Sequence, residues 1–200
     1  MANPYWKSWY KKNKAHFLEL VNKHKKARRK EFKILIDEKK DSPCVICKKK
    51  FPPEAIDLYH RDKGDKLFRI SDASRLIYSI KKLTDELEKC DNYCAVCRRI
   101  VDTEELLANK EEATGKSALR RKLLREVVNE MKASPCADCG KVYPAYCMEF
   151  DHLGETPKEG TIAKMVSEGK PLEKIKAEIA KSEPICLNCH RVRTKTRNQY

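Results

Sequence analysis

The stretch Cys186-Leu187-Asn188-Cys189-His190-Arg191 closes a pattern opened by Ser134-Pro135-Cys136-Ala137-Asp138-Cys139. The same pattern occurs 92 residues earlier, as Ser42-Pro43-Cys44-Val45-Ile46-Cys47 and Cys94-Ala95-Val96-Cys97-Arg98-Arg99. That offset superposes four C-x-x-C pairs without a gap, and the match runs past them. Lys49, Pro52, His60, Lys66, Glu86 and Lys89 fall on Lys141, Pro144, His152, Lys158, Glu178 and Lys181. Over 28–103 against 120–195, 20 of 76 positions are identical, so the chain is a tandem repeat and shared ancestry of its halves is the simplest explanation.

Two hundred residues suffice for one medium domain or two small ones, each with a core too small to be stable without further support. The cysteines are candidates for that support. Met1–Lys14 is polar, aromatic and basic, unlike a secretory signal, and no apolar stretch approaches membrane-spanning length. A cytoplasmic protein is therefore expected, with no membrane partner. In a reducing compartment, paired C-x-x-C motifs are better explained by zinc thiolates than by disulfides. The net charge of +14 is uneven: 1–41 carries 13 Lys/Arg against 5 Asp/Glu, and 190–200 adds four basic residues and no acid. Clustered positive charge of this kind is the electrostatic footprint of a nucleic-acid binder, with Arg28, Arg29 and Lys30 at its centre.

Periodicity predicts a long basic helix over about 15–38, with Phe17, Leu18, Val21, Phe32, Leu35 and Ile36 on apolar positions. A second amphipathic helix is predicted through Leu119, Leu123, Leu124, Val127, Val128 and Met131, with Ser117 as N-cap. A β-prone run follows each first cysteine pair, clearest at 142–150. A helix then leads to each second pair, through Leu76, Ile80, Leu83 and Leu87 or through Leu172, Ile175 and Ile179. The expected organisation is a helical segment 1–41, a first copy 42–103, a linker and helix 104–133, and a second copy with a basic tail 134–200. The fold class is α+β, with small domains in tandem.

Four thiolates in two knuckles suit tetrahedral zinc, because each two-residue spacer lets both sulfurs reach one ion. Two structural zinc ions per chain are expected, one held by Cys44, Cys47, Cys94 and Cys97 and one by Cys136, Cys139, Cys186 and Cys189. With four protein ligands neither ion has an open position for substrate. In the second copy Asp151 and His152 end the β-prone run, and His190 directly follows the last zinc ligand. The staple can bring them together, and a carboxylate with an imidazole is a suitable partial shell for a divalent ion that keeps waters and binds phosphate oxygen.

The order C-x-x-C, Asp-His, C-x-x-C and a following ligand residue resembles HNH endonucleases of the ββα-metal superfamily. The zinc-stapled phage junction-resolving enzymes and certain restriction enzymes with tandem zinc repeats are the nearest in kind. Met148-Glu149-Phe150-Asp151-His152 and Cys186-Leu187-Asn188-Cys189-His190-Arg191 carry the likeness, which covers 134–195 well and 42–103 in weakened form. It implies zinc-stapled ββα-metal domains, DNA as substrate, and one catalytic ion, Mg²⁺ or Mn²⁺, held by Asp151 and His190. His152 would be the general base, and Arg191, Arg193, Lys195 and Arg197 would position phosphates. Asn188, inside the knuckle, is expected to be structural.

At the matching positions the first copy has Tyr59, His60 and Arg98, so the base position survives and both implied ligands are gone. It is expected to bind DNA or act as scaffold through Arg98 and Arg99. Tyr5, Trp6, Trp9 and Tyr10 sit at helical spacing, where packing, including against a homodimer mate, is favoured over base stacking. His16 and His24 are expected to be solvated, and Cys90 and Cys147 to be ordinary thiols. The alternative function is a non-catalytic zinc protein that only binds nucleic acid.

Overall fold

The two copies fold alike, element for element. The computed structural model describes residues 4–76, 78–108, 115–154, 157 and 159–197. Helix α1 (Pro4–Lys40) precedes a 3₁₀ turn at Pro53–Ala55, β1 (Ile56–His60), α2 (Ile70–Leu76), α3 (Ile80–Glu88), β2 (Cys90–Cys94) and α4 (Ala95–Ala108). Helix α5 (Lys116–Met131) then precedes a turn at Ala145–Cys147, β3 (Met148–His152), α6 (Ile162–Ser167), α7 (Leu172–Ile179), β4 (Ser182–Cys186) and α8 (Leu187–Arg197). Both turns and all the strands are offset by 92, as the cysteines are. Each copy thus has a two-stranded antiparallel sheet, β1 with β2 and β3 with β4, with a helix leaving the second strand at its last cysteine. In the second sheet Met148 lies opposite Cys186 and His152 opposite Ser182.

Compactness divides the chain differently from ancestry. One unit comprises Met1–Ser42 with Leu58–Asn92, and the other Pro43–Asp57 with Tyr93–Tyr200. In the first, Phe32 of α1 is fully buried with Leu83, Leu87, Cys90 and Ala73, and Leu35 and Ile36 pack beside them. The rest of α1 is largely exposed and basic, and Trp6, Trp9, Tyr10 and Phe17 cluster on its own surface. The second unit holds both cysteine sets in one core with Ile56, Val96, Cys147, Met148, Ile185 and Leu187. A separate core joins α5 to α6 and α7 through Leu124, Val128, Met165, Val166 and Ile175. Among the described residues no helix is long and apolar enough to cross a membrane.

Several local expectations differ from the structure. Helix α5 starts at Lys116 after Gly115, whose φ of 106° suits glycine, so Ser117 lies in the first turn and is not the cap. Of its apolar stripe only Leu124 and Val128 are buried, while Leu119 and Leu123 stay exposed. The β-prone run at 142–150 is a strand only from Met148, because Pro144 lacks an N–H and sets the 3₁₀ turn at Ala145–Cys147. Strands β2 and β4 were not expected: Cys90-Asp91-Asn92-Tyr93-Cys94 and Ser182-Glu183-Pro184-Ile185-Cys186 are poor strand formers. Pro184 is tolerated because each strand of a two-stranded sheet has a free edge.

Each copy also buries one histidine–glutamate pair. His60 Nε2 is 2.8 Å from Glu86 Oε1, which accepts Leu67 N–H at 2.8 Å, and Lys89 Nζ reaches Glu86 Oε2 at 3.3 Å. In the second copy His152 Nε2 is 2.7 Å from Glu178 Oε1, and Lys181 Nζ is 2.9 Å from Glu178 Oε2. The lysines also donate to the carbonyls of Asp65 and Pro157, so each pair ties the segment after the first strand to the helix before the second. Burial alone would raise the Glu86 carboxyl, but the N–H of Leu67, His60 and the N–H of Phe68 outweigh it and hold it below the usual carboxylate range. A carboxyl depressed in the folded state contributes stability that is present above its unfolded pKa and is lost as pH falls through the folded one. Glu86→Gln should therefore lose less stability than the parent chain between about pH 5 and pH 3 in urea titrations; parallel acid limbs would contradict this.

Candidate functional site

The second sheet and α8 build the site. Because side chains alternate along a strand, Glu149 and Asp151 face one side of β3 and Phe150 and His152 the other. Asp151 is buried and meets the first turn of α8, where His190 Nε2 lies 3.7 Å from Asp151 Oδ1. The other ring nitrogen, Nδ1, bonds Glu149 Oε2. With Nδ1–H given to an ionised Glu149, Nε2 is the nitrogen that faces Asp151; it carries a lone pair in the neutral ring and a second N–H in the protonated one. Glu149 raises the His190 pKa, and His190 in turn depresses the Glu149 carboxyl. Glu149 carries no role in the sequence motif, and its spacing of two from Asp151 on a strand is the signal that places it on the same face.

Asp151 is also clamped by arginines one and two turns along α8. Arg197 makes a two-pronged bond to it, Nη1 to Oδ1 and Nη2 to Oδ2, each at 2.8 Å, and Arg193 Nη1 reaches Oδ2 at 3.0 Å. Burial would raise this carboxyl; Arg197 and Arg193 reverse that and keep it ionised. Arg193 bonds Asp138 and Glu183 as well, and Arg191 pairs with Asp57 at 2.7 Å. Lys195 is half-buried on the same helix, and Arg98 pairs with Asp102. Arg28 pairs loosely with Glu31, at 3.9 Å, while Arg29 and Lys30 are exposed on α1. The structure thus joins Asp151 to His190, and it places His152 on the opposite face of β3 with Glu178. His60 and Glu86 repeat that pair in the copy that lacks both implied ligands.

Behind this face lie the cysteines. In each set of four the sulfurs lie within 4.8 Å of one another, so each set can hold a metal ion. Four thiol donors suit zinc, and the fold treats them unequally: burial and the neighbouring sulfurs push Cys94, Cys97, Cys186 and Cys189 up. Although burial opposes it, N–H groups of Cys94, Cys47 and Ile46 aimed at the sulfur bring Cys44 down to about 7. Cys136 falls to about 7 in the same way, through the N–H groups of Cys139, Cys186 and Asp138. Asn188 links the two sets: its Oδ1 accepts Val96 N–H at 3.1 Å, and its side chain also bonds the sulfur of Cys94. The expectation that Asn188 serves the structure agrees with this placement. Cys90 and Cys147 are buried and belong to neither set, and burial pushes each thiol up to about 11.

Comparison of the chain with protein-family models, with curated proteins and with solved structures returns no match. Metal content tests the cysteine sites directly. Elemental analysis of protein purified without chelator should find about two zinc per chain. Cys136→Ser should lose one equivalent, and a parent value well below two would contradict the assignment.

Proposed function

We propose that the chain is a metal-dependent endonuclease of the HNH type, hydrolysing DNA phosphodiester bonds in its second copy. The observation that carries this reading is the approach of His190 Nε2 to the buried Asp151 carboxylate at the junction of β3, β4 and α8. Asp151 and His190 would hold one divalent ion, with Glu149 orienting the imidazole, an arrangement common around metal-bound histidines. Once bound, such an ion polarises the phosphodiester and stabilises the departing oxygen. For it to bind, Arg197 must release at least one oxygen of Asp151, and phosphate oxygens offer that guanidinium an alternative partner. His152 is the general base in this reading. A Glu178 that accepts Nε2–H fixes the ring with Nδ1 as the basic nitrogen, the role a carboxylate plays for a catalytic histidine.

DNA as substrate follows from the HNH resemblance, and the exposed basic face of α1 supplies sequence-independent affinity. The first copy, with Tyr59 and Arg98 at the ligand positions, contributes structure and not chemistry. A second reading, a zinc protein that binds nucleic acid without cleaving it, is favoured by the arginine clamp on Asp151.

Supercoiled plasmid with Mg²⁺ or Mn²⁺ separates the two readings, since only a nuclease yields nicked or linear products. Asp151→Ala and His190→Ala should abolish cleavage, and His152→Ala should slow it by about 10²–10⁴-fold. His60→Ala should leave most of it; equal losses at His60 and His152 would mean that the shared pair serves folding only. One such site per chain attacks one strand at a time, so a monomer should accumulate open circles. Direct linearisation would require a two-fold dimer, for which α1 with its aromatic cluster is the proposed contact; direct linearisation by a monomer would refute one site per chain.

A further inference from the structure

A cleft of about 510 Å³ opens beside His190, and Arg99 of α4, Arg125 and Lys132 of α5, Tyr146, Glu149 and His190 are among its walls. Its three cations differ from those of α8. Arg191, Arg193 and Arg197 are each bonded to acids of the chain. Arg125 has no hydrogen bond or ion pair among the described residues, and Arg99 reaches only the Tyr146 carbonyl, at 3.4 Å. Lys132 is half-buried with its Nζ 6.0 Å above the Phe150 ring and no ion pair among the described residues. Burial pushes its pKa down, and Glu149 only partly offsets this. The one acid in the wall, Glu149, is engaged by His190. A concave site with three cations and one committed anion concentrates positive potential, and two guanidiniums with an ammonium match phosphate oxygens.

We propose that the Arg99–Arg125–Lys132 cleft holds a backbone phosphate of the nucleic-acid strand next to the bond aligned at Asp151 and His190. This rests on the nuclease reading for its register, though not for the binding itself. Arg99 lies in the first copy, so both halves of the repeat would build the substrate path.

The test is fluorescence anisotropy of a labelled DNA duplex with the full chain, in Ca²⁺ to hold back cleavage, across a salt series. Arg125→Gln/Lys132→Gln should bind at least about tenfold more weakly, and its slope of log affinity against log salt should fall by about two. Arg99→Gln, at an exposed position, should lower that slope by about one. Lys141→Gln/Lys174→Gln removes the same charge from exposed positions outside the cleft and should stay near the parent. Parent-like binding by the cleft variants, or an equal loss in the control, overturns the proposal. Unchanged zinc content and helical circular dichroism show that the variants are folded. Plasmid cleavage by the parent is scored separately. Cleft variants that lose binding while the parent never cleaves would sink the nuclease reading and leave the cleft as a nucleic-acid site; normal binding beside active cleavage would do the reverse.

Discussion

Four sulfurs gathered closely enough to share one ion mark the geometry on which the rest of the second unit depends. Cys136 and Cys139 come just before the turn that launches β3, and Cys186 and Cys189 span the step from β4 into α8. Bringing them within 4.8 Å of one another fixes where β3 starts relative to where α8 starts. The polar groups placed one strand length beyond the first knuckle and one residue beyond the second then meet. Asp151 and His190 lie together in this way although 39 positions separate them in sequence. A five-residue strand and an eleven-residue helix have little apolar surface with which to hold that register themselves, and a metal ion held by the four sulfurs would supply the cross-link that a larger core otherwise gives.

The same constraint is used twice, and the two uses are interlocked. Both cysteine sets lie in one core, where Asn188 of one knuckle binds the backbone and a sulfur of the other, and Cys147 Sγ lies 3.7 Å from the Val96 carbonyl. The packing is reciprocal: α8 lies against the turn at Pro53–Ala55, and α4 against the turn at Ala145–Cys147. Divergence has then acted on a shared frame. The buried His–Glu–Lys ties persist in both copies, whereas Asp151 and His190 correspond to Tyr59 and Arg98, and Arg98 is paired with Asp102. The tie that both copies retain holds the segment after the first strand in each, and only the second copy adds Asp151 and His190 beside it.

Much of this was legible in the sequence because spacing is geometry. The 92-residue offset foretold the equivalence of strands and turns, and the knuckles foretold both metal-capable sets. Of the three side chains expected to converge, Asp151 and His190 lie together, whereas His152 sits on the opposite face of β3 with Glu178. Strands β2 and β4 were not legible, since their residues are poor strand formers and are held extended by the cysteine that ends each one and by the partner strand. Nor was the division into units: β1 and β2 each continue from one unit into the other, a consequence of tertiary contacts that no local pattern records. The partner of His152 was nearly legible. Glu178 is one of the few positions identical to its counterpart, but identity alone did not reveal that a buried imidazole needs a carboxylate. The arginines of α8 read as free phosphate contacts because charge along a helix does not show which acids lie opposite.

The nuclease reading requires Asp151 and His190 to hold a cation at a site distinct from the two cysteine sets. Crystals of the full chain soaked in Mn²⁺ and measured at the manganese absorption edge test it most directly. The expected result is a third anomalous peak, bonded to Asp151 and to His190 Nε2, with Arg197 moved off at least one carboxylate oxygen. Anomalous density confined to the cysteine sets, with the arginine clamp on Asp151 intact at saturating Mn²⁺, would contradict it.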